Sequence, residues 1–139
     1  MSRTLAREAA FKALFQLEFN FDDTEPEAYE NLAIETMFAD NPKLTTKDLP
    51  FLESLVKGTR EHLSEIDELI IAHLKEGWQL SRIMTADRNI LRLAVYEMKF
   101  VDEPIKKNIV INEAVELAKK YGTDDSSRFV NGILEAISK

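Results

Sequence analysis

Apolar and polar positions recur along most of the chain at the three- and four-residue spacing of α-helices. In the first stretch the apolar stripe consists of Ala6, Ala9, Ala10, Ala13, Leu14 and Leu17. Similar stripes recur in later stretches, whereas no segment of four to eight residues alternates convincingly with the period of a half-buried strand. The pattern therefore predicts an all-α protein, a compact helical domain of about seven helices.

Turn and capping residues divide this pattern into helices. The first helix should fade near Phe21, and a second is predicted over residues 28–38. Thr45 or Thr46 is the expected cap of the third helix, and Ser64 that of the fourth. Trp78, Leu80 and Ile83 fall in the connector before the fifth helix, and we expect this connector to pack beneath that helix. The sequence ends the fifth helix at Pro104.

Two kinds of glycine position stand out. Gly122 follows the sixth predicted helix, where a left-handed residue is common, and Gly77 should end the fourth. Gly58 and Gly132 instead lie inside helical patterns, where each costs about 1 kcal/mol relative to alanine. The favoured explanation for these two is a close approach of neighbouring helices.

A second row on the first helix combines cations with aromatic rings. Arg3, Arg7, Phe11 and Phe15 are spaced four residues apart. This spacing predicts that the two arginines project beside an aromatic strip rather than into the core.

Length and composition favour one domain over residues 1–139. No apolar run approaches the roughly 20 residues that cross a bilayer, and no signal-peptide pattern is present, so we expect a soluble, cytoplasmic protein without a membrane partner. The absence of cysteine excludes disulfides, thiolate metal sites and cysteine nucleophiles.

Charge is distributed unevenly along the chain. The formal net charge is −7, yet residues 1–19 and 104–139 each carry +1 while residues 20–48 carry −6. Such an asymmetry suits a protein that contacts RNA with its ends and a basic protein with its middle. An ordinary solvated acidic surface explains the same numbers, and charge alone leaves both readings open.

Motifs that carry catalysis or bind metals and nucleotides are missing. His62 and His73 have no partner spacing of the metal-binding kind, and the chain lacks a phosphate-binding glycine loop, a dinucleotide turn and a nucleophile elbow. Paired carboxylates such as Asp124 and Asp125 fall at turns or caps. We therefore expect no metal, no cofactor and no enzymatic activity.

Three motifs together resemble the NusB family over nearly the whole chain. They are the N-terminal R-x-x-A-R-x-x-A at residues 3–10, WQLSRIMTADRNILRLAVYEM at residues 78–98 and INEAVELAKKYGTDDSSRFVNGIL at residues 111–134. The resemblance implies two small three-helix bundles with an additional helix and no catalytic activity. It further implies a transcription antitermination factor that pairs with ribosomal protein NusE, binds boxA RNA and joins an RNA polymerase complex that suppresses termination in ribosomal RNA operons.

The resemblance also assigns roles to individual residues. It implies RNA contacts at Arg3, Arg7, Lys119, Lys120, Tyr121, Asp125, Arg128 and Phe129, and contacts with NusE at Phe15, Asp87 and Arg88. Tyr121 and Phe129 flank a turn, where they could stack on bases or belong to the core. Asp125 could cap the last helix or accept a hydrogen bond from a base edge. We expect the N-terminal cations to lie near the turn that Tyr121 and Phe129 flank.

One departure from the family pattern affects the expected affinity. Some members carry four or more arginines in the N-terminal motif, whereas only Arg3 and Arg7 precede Lys12 here. Fewer phosphate contacts predict weak RNA binding alone and tighter binding with NusE.

Two other readings remain at this stage. A homodimeric helical module would hide the RNA surface. An RNA-binding domain related to that of ribosomal RNA cytosine methyltransferases is less favoured, because no Rossmann-like region follows in the sequence.

Overall fold

The computed structural model describes residues 2–19, 24–101 and 105–139, and within these ranges every regular element is helical. This confirms the all-α prediction. The predicted helix end near Phe21 and the predicted break at Pro104 lie outside the described residues. The helices are α1 (Ser2–Phe19), α2 (Pro26–Asp40), α3 (Leu49–Glu61), α4 (Leu63–Ala72), α5 (Thr85–Lys99), α6 (Lys107–Tyr121) and α7 (Ser126–Ser138), with a 3-10 turn at Leu80–Arg82.

The chain divides into two compact units, residues 1–60 and residues 61–139. In the first unit α1 packs against α2, and the predicted stripe from Ala6 to Leu17 is buried. In the second unit α5 contacts α4, α6 and α7, and α6 also packs along α7. Three helices in one unit and four in the other agree with two three-helix bundles and an additional helix.

Local hydrogen bonds explain where some helix starts differ from prediction. The Thr45 N–H donates to the Asp48 carboxylate at 2.8 Å and closes a separate turn, so α3 begins only at Leu49 and the predicted cap at Thr45 or Thr46 was wrong. Ser64 lies inside α4 rather than capping it. α2 extends two residues beyond each predicted end, with a proline in its first turn, where a missing N–H costs little.

The structural roles of Gly122 and Gly132 differ from those predicted. Gly122 ends α6 with φ −99°, so the predicted left-handed conformation was wrong. A Cβ at Gly122 would lie 2.8 Å from the Ala118 carbonyl oxygen and would clash with the side chain of Ser126, so the position requires close packing instead. Gly132 is exposed, and a Cβ there would meet nothing within 4 Å, which contradicts the predicted close approach of helices at this residue.

These contacts predict opposite effects of alanine at the two glycines. Gly122→Ala should lower the free energy of unfolding by about 1–3 kcal/mol, because backbone and side-chain atoms must move apart. Gly132→Ala should leave it unchanged or raise it by up to about 1 kcal/mol through helix propensity. Urea unfolding followed by circular dichroism measures both, and equal effects of the two substitutions would contradict the assignment.

Candidate functional site

A buried carboxylate organises the second unit at the start of α5. Asp87 lies in the first turn of α5, as predicted, and is 6% exposed. The Ser126 hydroxyl donates to Asp87 Oδ2 at 3.1 Å and accepts from the Thr123 N–H at 2.9 Å. Asp87 Oδ1 has no hydrogen-bond partner within the described part of the chain. The site thus holds one acceptor oxygen that the described residues do not satisfy.

The environment of Asp87 shifts its protonation equilibrium. Burial raises the pKa of the Asp87 carboxyl above 3.8, and the hydrogen bond from Ser126 partly opposes this rise. Asp125 is the N-cap residue of α7, as predicted, but its side chain makes no capping hydrogen bond. Ser126 instead directs its hydroxyl inward to Asp87.

Asp87 lines a groove of about 250 Å³, which we call the Asp87 groove. The structure brings together here one residue of the expected partner-binding set, Asp87, and two of the expected RNA-binding set, Asp125 and Phe129. Residues that had separate expected roles therefore share one concave surface. The remaining lining residues are Trp78, Arg82, Ile83, Met84, Thr123 and Ser126.

A second concavity of about 330 Å³ shares Trp78 and Phe129 with the Asp87 groove. We call it the Gly132 cleft, lined by His73, Leu74, Lys75, Trp78, Arg128, Phe129, Gly132 and Ile133. Of the three connector residues predicted to pack beneath α5, Ile83 is buried and Leu80 is half-buried, whereas Trp78 is 53% exposed, so the prediction was wrong for Trp78. Gly77, with φ +86°, turns the backbone just before Trp78.

The end of α6 presents further cations beside an aromatic ring. Tyr121 is half-buried, and Lys120 Nζ lies 5.5 Å from the centre of its ring. Lys119 is exposed and pairs with Glu116 at 3.3 Å. Neither lysine nor Tyr121 lines the Asp87 groove or the Gly132 cleft.

In the first unit, the N-terminal arginines share one aromatic ring. The Arg3 guanidinium lies 4.2 Å from the centre of the Phe51 ring and that of Arg7 lies 5.5 Å from it. Arg3 is exposed, whereas Arg7 is only 4% exposed, so the prediction that both arginines avoid the core was wrong for Arg7. Phe11, one helical step later, is also buried, which shows that the buried face of α1 is wider than predicted.

The two remaining residues of the expected partner-binding set have different surroundings. Phe15 is 36% exposed and contacts the rings of Phe11 and Phe19, with centroids 6.1 and 5.4 Å apart. Arg88 is half-buried, and its Nη1 donates to the Ile83 carbonyl at 2.7 Å and to the Leu80 carbonyl at 3.2 Å. Arg88 therefore holds the connector before α5 in place.

Sequence reasoning missed Trp78, Arg82 and Met84 as lining residues of the Asp87 groove. One signal was available, because Trp78 is the only tryptophan and directly follows a glycine. The exposure of Trp78, however, depends on how the connector before α5 packs. The spacing of apolar residues along the sequence does not reveal this packing.

Comparison with known proteins identifies the relatives of this chain. The model of the NusB family matches residues 4–139. The chain belongs to the NusB family. The transcription antitermination protein NusB of Bdellovibrio bacteriovorus is 43% identical over 138 residues, with 99% of this chain and 96% of the relative covered.

Solved structures show the same relationship. A NusB structure from T. maritima superimposes with a TM-score of 0.84 at 40% identity and covers 98% of this chain and 89% of its own. A chain in the crystal structure of antitermination factors NusB and NusE in complex with dsRNA gives a TM-score of 0.80 at 29% identity, covering 99% of this chain and 96% of its own.

The described residues hold neither a membrane-spanning helix nor a cluster of metal ligands. Across residues 2–19, 24–101 and 105–139, no helix is both long and apolar enough to cross a membrane. Over the same ranges, no group of three or more histidine, cysteine or acidic side chains is arranged to hold a metal ion.

The raised pKa of Asp87 predicts a pH-dependent difference between the wild type and Asp87→Asn. Below pH 3.8 the carboxyl is protonated in both folded and unfolded chains. As the pH rises, the unfolded state releases the proton first, so the contribution of Asp87 to stability declines until the pH passes the folded pKa. The free energy of unfolding of Asp87→Asn should therefore gain on that of the wild type as the pH rises above 3.8, until the pH passes the raised folded pKa.

Urea unfolding at several pH values tests this prediction. Glu135→Gln, at an exposed acidic position on α7, is the control and should show no such gain. Parallel profiles for Asp87→Asn and the wild type would contradict a raised pKa.

Proposed function

We propose that this protein is a transcription antitermination factor that binds boxA RNA together with ribosomal protein NusE, without catalysing a reaction. The Asp87 groove carries the proposal, because it brings Asp87, Asp125 and Phe129 to one surface in a chain of the NusB family. The protein then joins the RNA polymerase complex that suppresses termination in ribosomal RNA operons. It works in the cytoplasm, with residues 1–139 as one RNA-binding domain.

The RNA-binding side combines an aromatic ring with cations. Phe129 is half-buried in the first turns of α7, and Arg128 beside it is exposed. Unpaired bases stack on such rings while arginine and lysine neutralise phosphates. Asp125 is exposed at the rim, where its carboxylate can accept a hydrogen bond from an exocyclic amine.

The end of α6 in the second unit and the N-terminus of α1 in the first unit each carry further proposed RNA contacts. Lys119, Lys120 and Tyr121 supply two cations and a ring, and Arg3 supplies an exposed guanidinium. The buried Arg7 shares the Phe51 ring with Arg3, and we assign it the positioning of this N-terminal contact.

The partner-binding side relies on Asp87 and Phe15. Asp87 Oδ1 is buried, so we assign Asp87 the positioning of the Asp87 groove through its hydrogen bond with Ser126, rather than a direct contact with the partner. Phe15 offers exposed apolar area for the same partner, and Arg88 keeps the connector next to Asp87 in place.

A homodimer is a second candidate state. It is favoured by exposed apolar side chains in the first unit, where Phe15, Phe19 and Leu32 are 36%, 64% and 58% exposed. Because Phe15 belongs to both proposed surfaces, self-association and NusE binding should compete. Light scattering at increasing protein concentration, with and without NusE, distinguishes the two states.

Charge reversal at Arg3 or Arg128 should weaken RNA binding. Each phosphate contact on a single strand contributes about 0.7 to the slope of log affinity against log salt. Arg3→Glu and Arg128→Glu should each lower affinity for a fluorescein-labelled boxA RNA and make this slope shallower by about that amount. Fluorescence anisotropy over a salt series measures both quantities.

Lys47→Glu is the matched control, because Lys47 is exposed in the turn before α3 and belongs to no proposed contact. If Lys47→Glu weakens binding as much as the two arginine variants do, only the total charge matters and the assigned contacts are wrong.

NusE should tighten RNA binding. The isolated chain has few N-terminal arginines, so its affinity for boxA RNA should be lower than that of the NusE complex. Asp87→Asn and Phe15→Ala should each reduce NusE binding in calorimetry and thereby reduce this gain. Equal affinities of the isolated chain and the complex for boxA RNA would refute the cooperative mechanism.

A further inference from the structure

The Gly132 cleft combines an exposed ring, local cations and an open floor. We propose that it takes one unpaired nucleobase of the bound RNA, stacked on the Trp78 indole, with the adjoining phosphates held by Lys75 and Arg128. The inference rests on the proposed RNA-binding function and adds a subsite built around Trp78.

Trp78 provides the first argument. An indole carries a large apolar area, which a folded chain usually buries. Here the only tryptophan of the sequence is 53% exposed, and it faces both the Asp87 groove and the Gly132 cleft. Phe129 lines the same cleft, so a planar ligand has two aromatic surfaces within one concavity. Stacking accepts any base, because each base has a π-face.

Local charge provides the second argument. The residues that line the Gly132 cleft include Lys75 and Arg128, and none of those described is acidic. The described lining of the Asp87 groove, in contrast, holds the two carboxylates of Asp87 and Asp125 and a single cation, Arg82. In a chain with a net charge of −7, a concavity with cations and no carboxylate is complementary to an anionic ligand, and an exposed aromatic ring beside it favours a nucleotide.

Gly132 provides the third argument. A glycine inside a helix destabilises it relative to alanine, and nothing in the described chain occupies the space where its side chain would be. Gly132 lines the cleft on the exposed face of α7, so the absent side chain leaves the floor open. Packing within the described chain does not require glycine at this position, whereas a ligand that lies against the helix backbone would.

Because Trp78 is the only tryptophan, its fluorescence reports directly on stacking. We expect a boxA single strand to quench this fluorescence to saturation, at the same RNA concentrations at which anisotropy shows binding. A fully paired duplex of the same sequence offers no unpaired base, so any binding of that duplex should leave the emission unchanged.

Two pairs of variants test the site without disturbing the core. Trp78→Ala should weaken binding of the single strand about 5- to 150-fold, whereas Trp78→Phe, which keeps a ring, should stay within about fivefold of the wild type. Gly132→Leu should fill the cleft and weaken binding about tenfold or more. Asn131→Leu, which adds a similar side chain at the adjacent exposed position of α7, should leave binding unchanged. Thermal unfolding verifies that all four variants fold.

The outcomes separate this inference from the proposed function. If the wild type binds the single strand without quenching, and Trp78→Ala and Gly132→Leu bind it normally, RNA binding stands and the subsite is wrong. If these two variants lose NusE binding while RNA binding is intact, the cleft takes a protein and the inference is overturned. If the wild type binds no RNA with or without NusE, both the proposed function and the subsite fail.

Discussion

The hydrogen bond from the Ser126 hydroxyl to the buried Asp87 carboxylate is the interaction on which the second unit depends. It joins the first turn of α5 to the first residue of α7, and the Thr123 N–H extends it into the turn after α6. A carboxylate removed from water is costly unless it is hydrogen-bonded, so this contact restricts where α7 can begin. It also requires Gly122, because a larger residue would displace Ser126.

This arrangement explains how an acidic chain can present a surface for RNA. The same turn that buries Asp87 places Phe129 and Arg128 at the start of α7, with Phe129 between the two concavities. The Asp87 groove is lined by two carboxylates and one arginine, whereas the described lining of the Gly132 cleft has cations and no carboxylate. The sign of the net charge is therefore a poor guide to the ligand, because recognition depends on charges within a Debye length of the site.

The two arginines near the N-terminus differ in their exposure to solvent. Arg3 and Arg7 lie over the same Phe51 ring, but only Arg3 is exposed. Planar guanidinium groups stack on aromatic faces and are more weakly hydrated than ammonium groups, which makes arginine the cation best suited to such a buried position. A motif that looks like a pair of equivalent cations in the sequence thus holds one surface group and one interior group.

Four features follow from the amino-acid pattern alone: the helical class, the buried stripe of α1, the acidic residue in the first turn of α5 and the candidate residues at the α6 to α7 turn. Helical periodicity is a local property, so it can be read from neighbouring residues. Only the tertiary structure decided that Gly122 is needed for close packing, that Arg7 is buried and that Trp78 is exposed. It also decided that Asp87 shares a groove with Phe129. These features depend on which surface lies opposite each residue, and contacts between distant segments leave no periodic signal in the chain.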